Sequence, residues 1–270
     1  MKRTIQAILY SCPALLAFSI QAQVINASDN AGNYSSWPQT ANNGSGFGNW
    51  SFNNTTPNGG YSGEFLGTSY TSAGGGINSG SGNAFGFYAN GGASAEAQAI
   101  LPFLSGSLTA NQAFSIEMQD QNITDDGGQV GFSLQDSSGN NLFQFYFSGG
   151  QSQYLVNVGG TQVNTGVGYT ADPLTLSFEQ GAGDAWSFSI SEGGTLEATL
   201  DSTSTGDLLS ANDISQANLF SLNGGSARTL GDNDNLYFNN PTVTTTPEPS
   251  TLALGGMSGL AAVLFIRRRR

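Results

Sequence analysis

The 270-residue chain has no histidine, one cysteine and only 10% charged residues, with a formal net charge of −12. Lys2 and Arg3 open it, Arg267, Arg268, Arg269 and Arg270 close it, and with Glu248 counted to the tail the body sets lone Arg228 against 18 acidic residues, a formal −17. One cation cannot supply the row of phosphate contacts behind nucleic-acid affinity, the lack of histidine removes the usual general base and most zinc sites, and Cys12 alone allows no internal disulfide.

Residues 1–22 read as a secretory signal peptide. Lys2 and Arg3 form its basic start, residues 5–20 are largely apolar, and Gln21-Ala22 places a small residue at the cut. The mature chain then begins near Gln23, and its first partners are the export machinery and a signal peptidase. Cys12 leaves with the signal, so the mature protein has no thiol nucleophile.

Residues 23–241 are predicted to form one domain. Its first part offers strand candidates at Val24-Ile25 and at residues 47–52, 61–66, 84–89 and 94–101, separated by long Gly/Asn loops such as residues 72–83. Strict alternation follows in Phe114-Ile116-Met118, Val130-Phe132-Leu134, Phe143-Phe145-Phe147, Tyr154-Val156-Val158, Leu174-Leu176-Phe178, Trp186-Phe188-Ile190 and Leu196-Ala198-Leu200. Period two buries one face of a strand and leaves the intervening residues polar. Turn formers such as Ser138-Gly139-Asn140, Gly149-Gly150 and Gly193-Gly194 separate these runs. Residues 210–217 suit one helical turn, and residues 217–222 and 235–239 two last strands. About a dozen short antiparallel strands predict an all-β fold, a single antiparallel β-sandwich of jelly-roll type.

Three kinds of site are candidates. Glycoside hydrolysis needs two carboxylates about 5 to 10 Å apart; Glu117-Met118-Gln119-Asp120 is the nearest approach, but residues three apart on a strand face opposite ways. Glu117 and Glu179 share a face only if tertiary packing brings them there, so the expectation is that the protein is not an enzyme. A structural calcium would be held by loop oxygens of Asp125, Asp126, Asp232 and Asp234, with Asp136 nearby in type. Carbohydrate binding needs aromatic platforms beside polar groups. Gln144 and Tyr146 alternate with inward Phe143, Phe145 and Phe147 and are predicted to face away from the core. Trp37, Trp50, Tyr61, Tyr70 and Tyr88 either line a loop-built cleft or cap the sandwich.

The C-terminus has a Thr/Pro spacer at residues 242–246, then Pro247-Glu248-Pro249, an apolar helix predicted over 252–266, and four arginines. Fifteen helical residues rise about 22 Å against a ~30 Å hydrocarbon core, so a thin span needs snorkelling arginines. Those arginines form a cytoplasmic stop.

Pro-Glu-Pro, an apolar helix and a terminal arginine cluster resemble the bacterial PEP-CTERM sorting signal over residues 247–270. The resemblance implies an exosortase-type membrane protease as partner, transient anchoring in the inner membrane, and delivery to the cell surface, outer envelope or extracellular matrix. It also implies extracellular polysaccharide as a neighbour. More loosely, the body over residues 110–240 resembles the concanavalin-like or laminin-G-like sandwich, on Gly131-Phe132-Ser133-Leu134, Trp186-Ser187-Phe188-Ser189 and Leu236-Tyr237-Phe238-Asn239-Asn240. The Glu-x-Asp-x-x-Glu cluster of concanavalin-like glucanases is absent. The expectation is an exported structural or adhesive protein, with a carbohydrate-binding module as the alternative and a polysaccharide hydrolase ranked below both.

Overall fold

A computed structural model describes residues 23–56, 60–90, 94–123, 127–206, 213–223 and 235–246. Within them the chain forms β1 (Val24–Ser28), β2 (Ser51–Thr55), β3 (Tyr61–Gly67), β4 (Ala84–Asn90) and β5 (Glu96–Pro102). There follow β6 (Gln112–Asp120), β7 (Gln129–Gln135), β8 (Asn141–Ser148), β9 (Gln153–Val158) and β10 (Thr161–Gly168). The last are β11 (Leu174–Gln180), β12 (Trp186–Glu192), β13 (Thr195–Asp201), β14 (Gln216–Leu222) and β15 (Leu236–Thr245), with a one-turn helix α1 (Ser202–Thr205) after β13.

The strands form two antiparallel sheets packed face to face. An eight-stranded sheet has the order β13-β12-β11-β6-β15-β4-β3, with β1 beside β15; a seven-stranded sheet has the order β10-β9-β8-β7-β14-β5-β2. The protein is an all-β sandwich. Alternation explains the core: Phe132 and Phe145 from one sheet meet Phe188 of the other, at ring-centroid distances of 6.3 and 5.2 Å. Phe143 lies 4.9 Å from both Phe178 and Phe188.

Four local readings change. β10 was not among the expected strands; only Val163, Thr165 and Val167 point inward from a Gly/Thr/Asn-rich segment, too little to register as alternation. Residues 216 and 217 of the expected helical turn open β14, because Ala217 pairs with Leu101 and Leu134 on the core side. Leu196, expected inside, is 61% exposed, because β13 is an edge strand and residue 196 sits at its open end. The presumed spacer at 242–246 is largely strand: Thr242, Val243, Thr244 and Thr245 pair with β1 on one side and β6 on the other. A bulge between Asn239 and Thr242, with Asn240 at φ 52°, turns the second half of β15 from β4 to β1.

Trp37 and Trp50 cap the core rather than line a cleft. Trp37 packs against Trp50, Phe52, Phe85 and Phe87 at 4.6 to 5.4 Å.

Candidate functional site

The outer face of the seven-stranded sheet is set by residues that alternate with the core set. Registers align Asn218 of β14, Ser133 of β7, Gln144 of β8, Asn157 of β9 and Gln162 of β10 in one row. Four strand spacings make that row about 19 Å long. A parallel row holds Gln216, Gln135 and Asn141, linked head to tail: Gln216 donates to Gln135 at 3.0 Å, and Gln135 to Asn141 at 2.8 Å. Asn218 Nδ2 donates to Gln98 of β5 at 2.8 Å.

On the other side of the first row lie Phe220, Gly131, Tyr146 and Leu155. The missing side chain of Gly131 admits the backbone of β8, and Phe220, Tyr146 and Leu155 pack there as a small apolar cluster. Tyr146 therefore faces away from the core, as expected, yet is only 6% exposed, and burial pushes its phenol above the ordinary range. Gln144 is half-buried and Gln162 exposed.

No charged residue occurs in these three rows. Ser133 Oγ and Asn218 Oδ1, on side chains 1% and 6% exposed, have no hydrogen-bond partner in the protein. Both atoms are enclosed, at a cost of about 1–3 kcal/mol each, and the groups within reach of a ligand are the half-buried amides of Gln144 and Asn157 and the exposed amide of Gln162. An amide offers both donor and acceptor, and a sugar hydroxyl engages both.

Gln144 and Tyr146 were legible in the sequence. Ser133, Asn157 and Asn218 were not singled out, although each sits between two core residues of its strand. Their signal is alternation; their adjacency comes from β14 lying between β5 and β7, which no local pattern encodes.

The other candidates separate. Glu117 and Glu179 share the outer face of the larger sheet, but Glu117 pairs with Thr175 and Glu179 with Ala113. Four residues along the strand put them about 14 Å apart, beyond the glycosidase range. Burial raises the Glu117 carboxyl, and the 2.7 Å bond from Asn240 partly offsets this. Asp136 is a turn residue whose carboxylate accepts from Ser138 N, Asn140 N and Asn140 Nδ2 at 2.7 to 2.9 Å, bonds that hold its carboxyl below the usual range. Asp125, Asp126, Asp232 and Asp234 lie outside the described residues, as do Pro247, Glu248, Pro249, the four arginines and the signal segment. Among the described residues no three His, Cys, Asp or Glu cluster to hold a metal. No helix there is long and apolar enough to cross a membrane; residues 252–266, where one is predicted, fall outside.

Residues 245–270 match the family model described as the PEP-CTERM protein-sorting motif. No curated protein matches the chain. Among solved structures it is similar to a protein of unknown function from Shewanella oneidensis MR-1, at 14% identity over 91% of this chain and 100% of that one, TM-score 0.46. It is also similar to a carbohydrate esterase of the Shiga toxin-encoding bacteriophage phi24B, at 14% identity over 84% and 100%, TM-score 0.48. A third is an endo-beta-1,4-glucuronan lyase from the fungus Trichoderma reesei, at 9% identity over 72% and 94%, TM-score 0.43. These likenesses concern the fold alone. Fold and tail together define an extracellular β-sandwich protein. Its PEP-CTERM motif implies export and exosortase sorting to the cell surface.

Proposed function

We propose that the protein is a non-catalytic, glycan-binding adhesive component of the extracellular matrix, retained there by a neutral polysaccharide lying along the outer face of the seven-stranded sheet. The observation that carries this reading is the uncharged row itself, whose Gln144, Asn157 and Gln162 present accessible amides across three adjacent strands. Absence of charge selects against uronate or sulfate recognition through ion pairs and favours hydroxyl groups.

Sorting precedes binding in this proposal. Residues 252–266 halt in the inner membrane, Arg267, Arg268, Arg269 and Arg270 stay cytoplasmic, and cleavage near Pro247-Glu248-Pro249 frees the body. Intact-mass measurement of the exported protein should find both residues 1–22 and the four arginines gone; a retained arginine tail would overturn the processing step.

For binding, titration calorimetry of the processed protein with neutral hexasaccharides (cello-, laminari- and mannohexaose) is the direct measurement. Gln144→Ala/Asn157→Ala should weaken binding by at least about tenfold, the equivalent of one net hydrogen bond of ~1.4 kcal/mol. Affinity should be insensitive to salt and to chelators. Binding that required calcium would move recognition to the loops of Asp125, Asp126, Asp232 and Asp234 and overturn the amide-face assignment.

A further inference from the structure

The opposite face of the sandwich carries a cleft of about 560 Å³, within the range of small-ligand sites. Its aromatic lining is Phe65 of β3, Tyr237 of β15 and Tyr70, and its polar lining includes Thr68, Thr71 and Gln121. Among the described residues no charged side chain lines it.

The sequence explains the geometry. Phe65, Gly86 and Tyr237 are cross-strand neighbours on the outer face. A Cβ built on Gly86 would meet three Phe65 ring atoms at 2.4, 2.6 and 2.7 Å, so the ring lies flat on the glycine backbone. Tyr237 stands against Phe65 edge-on, with centroids 5.8 Å apart at 82°. Of the three aromatic rings, Tyr237 is buried, Phe65 half-buried and Tyr70, at 37%, exposed.

The loop bearing Tyr70 is pinned along its length. Ser69 N donates to Asn78 Oδ1 at 2.6 Å, Ile77 N to Ser69 Oγ at 3.1 Å and Gly74 N to Asp172 Oδ1 at 3.0 Å. Gln119 Nε2 donates to Gly75 O at 3.3 Å, and Asn239 Nδ2 to Ile77 O at 2.6 Å. Two of these bonds close the loop on itself and three anchor it to Asp172, Gln119 and Asn239, so the rim is ordered before any ligand arrives, which lowers the entropy cost of binding.

We infer that this cleft is a second glycan subsite, taking the C–H face of a neutral pyranose on Phe65 and Tyr70 while Thr68, Thr71 and Gln121 meet its hydroxyls. The two sheets pack about 10 Å apart with their outer faces pointing in opposite directions, so one glycan strand cannot lie on both. A body with both sites cross-links two polysaccharide strands. The cross-linking rests on the amide-face reading above; the cleft itself does not.

Calorimetry with the same hexasaccharides tests both, using processed wild type, Tyr70→Ala and Gln144→Ala/Asn157→Ala. Tyr70 is on an exposed rim, so its truncation spares the fold, which circular dichroism verifies. Wild type should bind two hexasaccharides per chain and each variant one, and wild type alone should raise the turbidity of a soluble neutral glucan. Loss of all binding in Tyr70→Ala would support the cleft and overturn the amide face. Unchanged stoichiometry in Tyr70→Ala would overturn the cleft and leave the amide face standing. Absence of binding to every hexasaccharide would overturn both. Dimerisation of wild type that Tyr70→Ala abolishes, with no glycan effect, would assign the cleft to a second copy of the chain and overturn the inference.

Discussion

Asp29→Ala should lower the unfolding free energy by about 3–5 kcal/mol, because it strands several buried donors at once. Asp29 is 3% exposed. Its Oδ2 accepts from the Tyr34 hydroxyl at 2.6 Å, Trp50 Nε1 at 3.0 Å and Asn42 Nδ2 at 3.4 Å. Oδ1 accepts from Asn30 N at 2.7 Å and Asn33 Nδ2 at 3.2 Å. Arg228, the one cation of the body, lies outside the described residues, and this carboxylate is satisfied by neutral donors. Burial, and then the hydrogen bond to Asp29, pushes the Tyr34 phenol far above its usual range. The network fastens the irregular first part of the chain to the end of the sandwich through Trp50, whose ring packs on Phe85 at 5.3 Å. Asp29→Asn keeps one acceptor oxygen and should cost about 1–2 kcal/mol, near the worth of a single lost bond. Urea unfolding of the three proteins measures both. An Asp29→Ala loss below 1 kcal/mol would mean that the desolvation of the carboxylate cancels its hydrogen bonds, and the network would not be what holds this end.

The second large effect is expected at Gly131. A Cβ there would sit 2.1 Å from the carbonyl oxygen of Phe145 and 2.7 Å from the α-carbon of Tyr146, both backbone. No rotamer change relieves such contacts, so β7 and β8 must move apart in the middle of the seven-stranded sheet. Gly131→Ala should therefore cost about 3 kcal/mol or more and weaken glycan binding, since Ser133 and Gln144 lie two pairs further along the same two strands. Gly80→Ala is the matched control. It has open space around its added methyl group and should change stability by no more than about 0.5 kcal/mol. Equal stabilities for the two variants would show that the close approach at Gly131 is relieved at little cost.

These two residues also mark the limit of reading the sequence alone. Asp29 sits in a stretch of Ala, Ser, Asn and Gly that reads as loop, and nothing local tells that its carboxylate is enclosed by Tyr34 and Trp50. Gly131 interrupts an alternating run in which glycine reads as a weak strand residue, whereas its role is to receive the backbone of a neighbouring strand. Gln144 and Tyr146 were predicted outward correctly, because side-chain direction in a strand is local. The burial of Tyr146 against Leu155 and Phe220 was not, because it depends on strands from three parts of the chain.

The sequence by itself determined the PEP-CTERM tail, the all-β class and the inner faces of most strands. Each is written in contiguous residues or in a period of two, where covalent geometry alone sets the side-chain direction. Strand order, the bulge that divides β15, the uncharged amide row and the aromatic cleft were decided only by the tertiary structure. They arise where hydrogen-bonded registers bring distant segments side by side, and those registers are chosen by burial of the whole core rather than by any one segment.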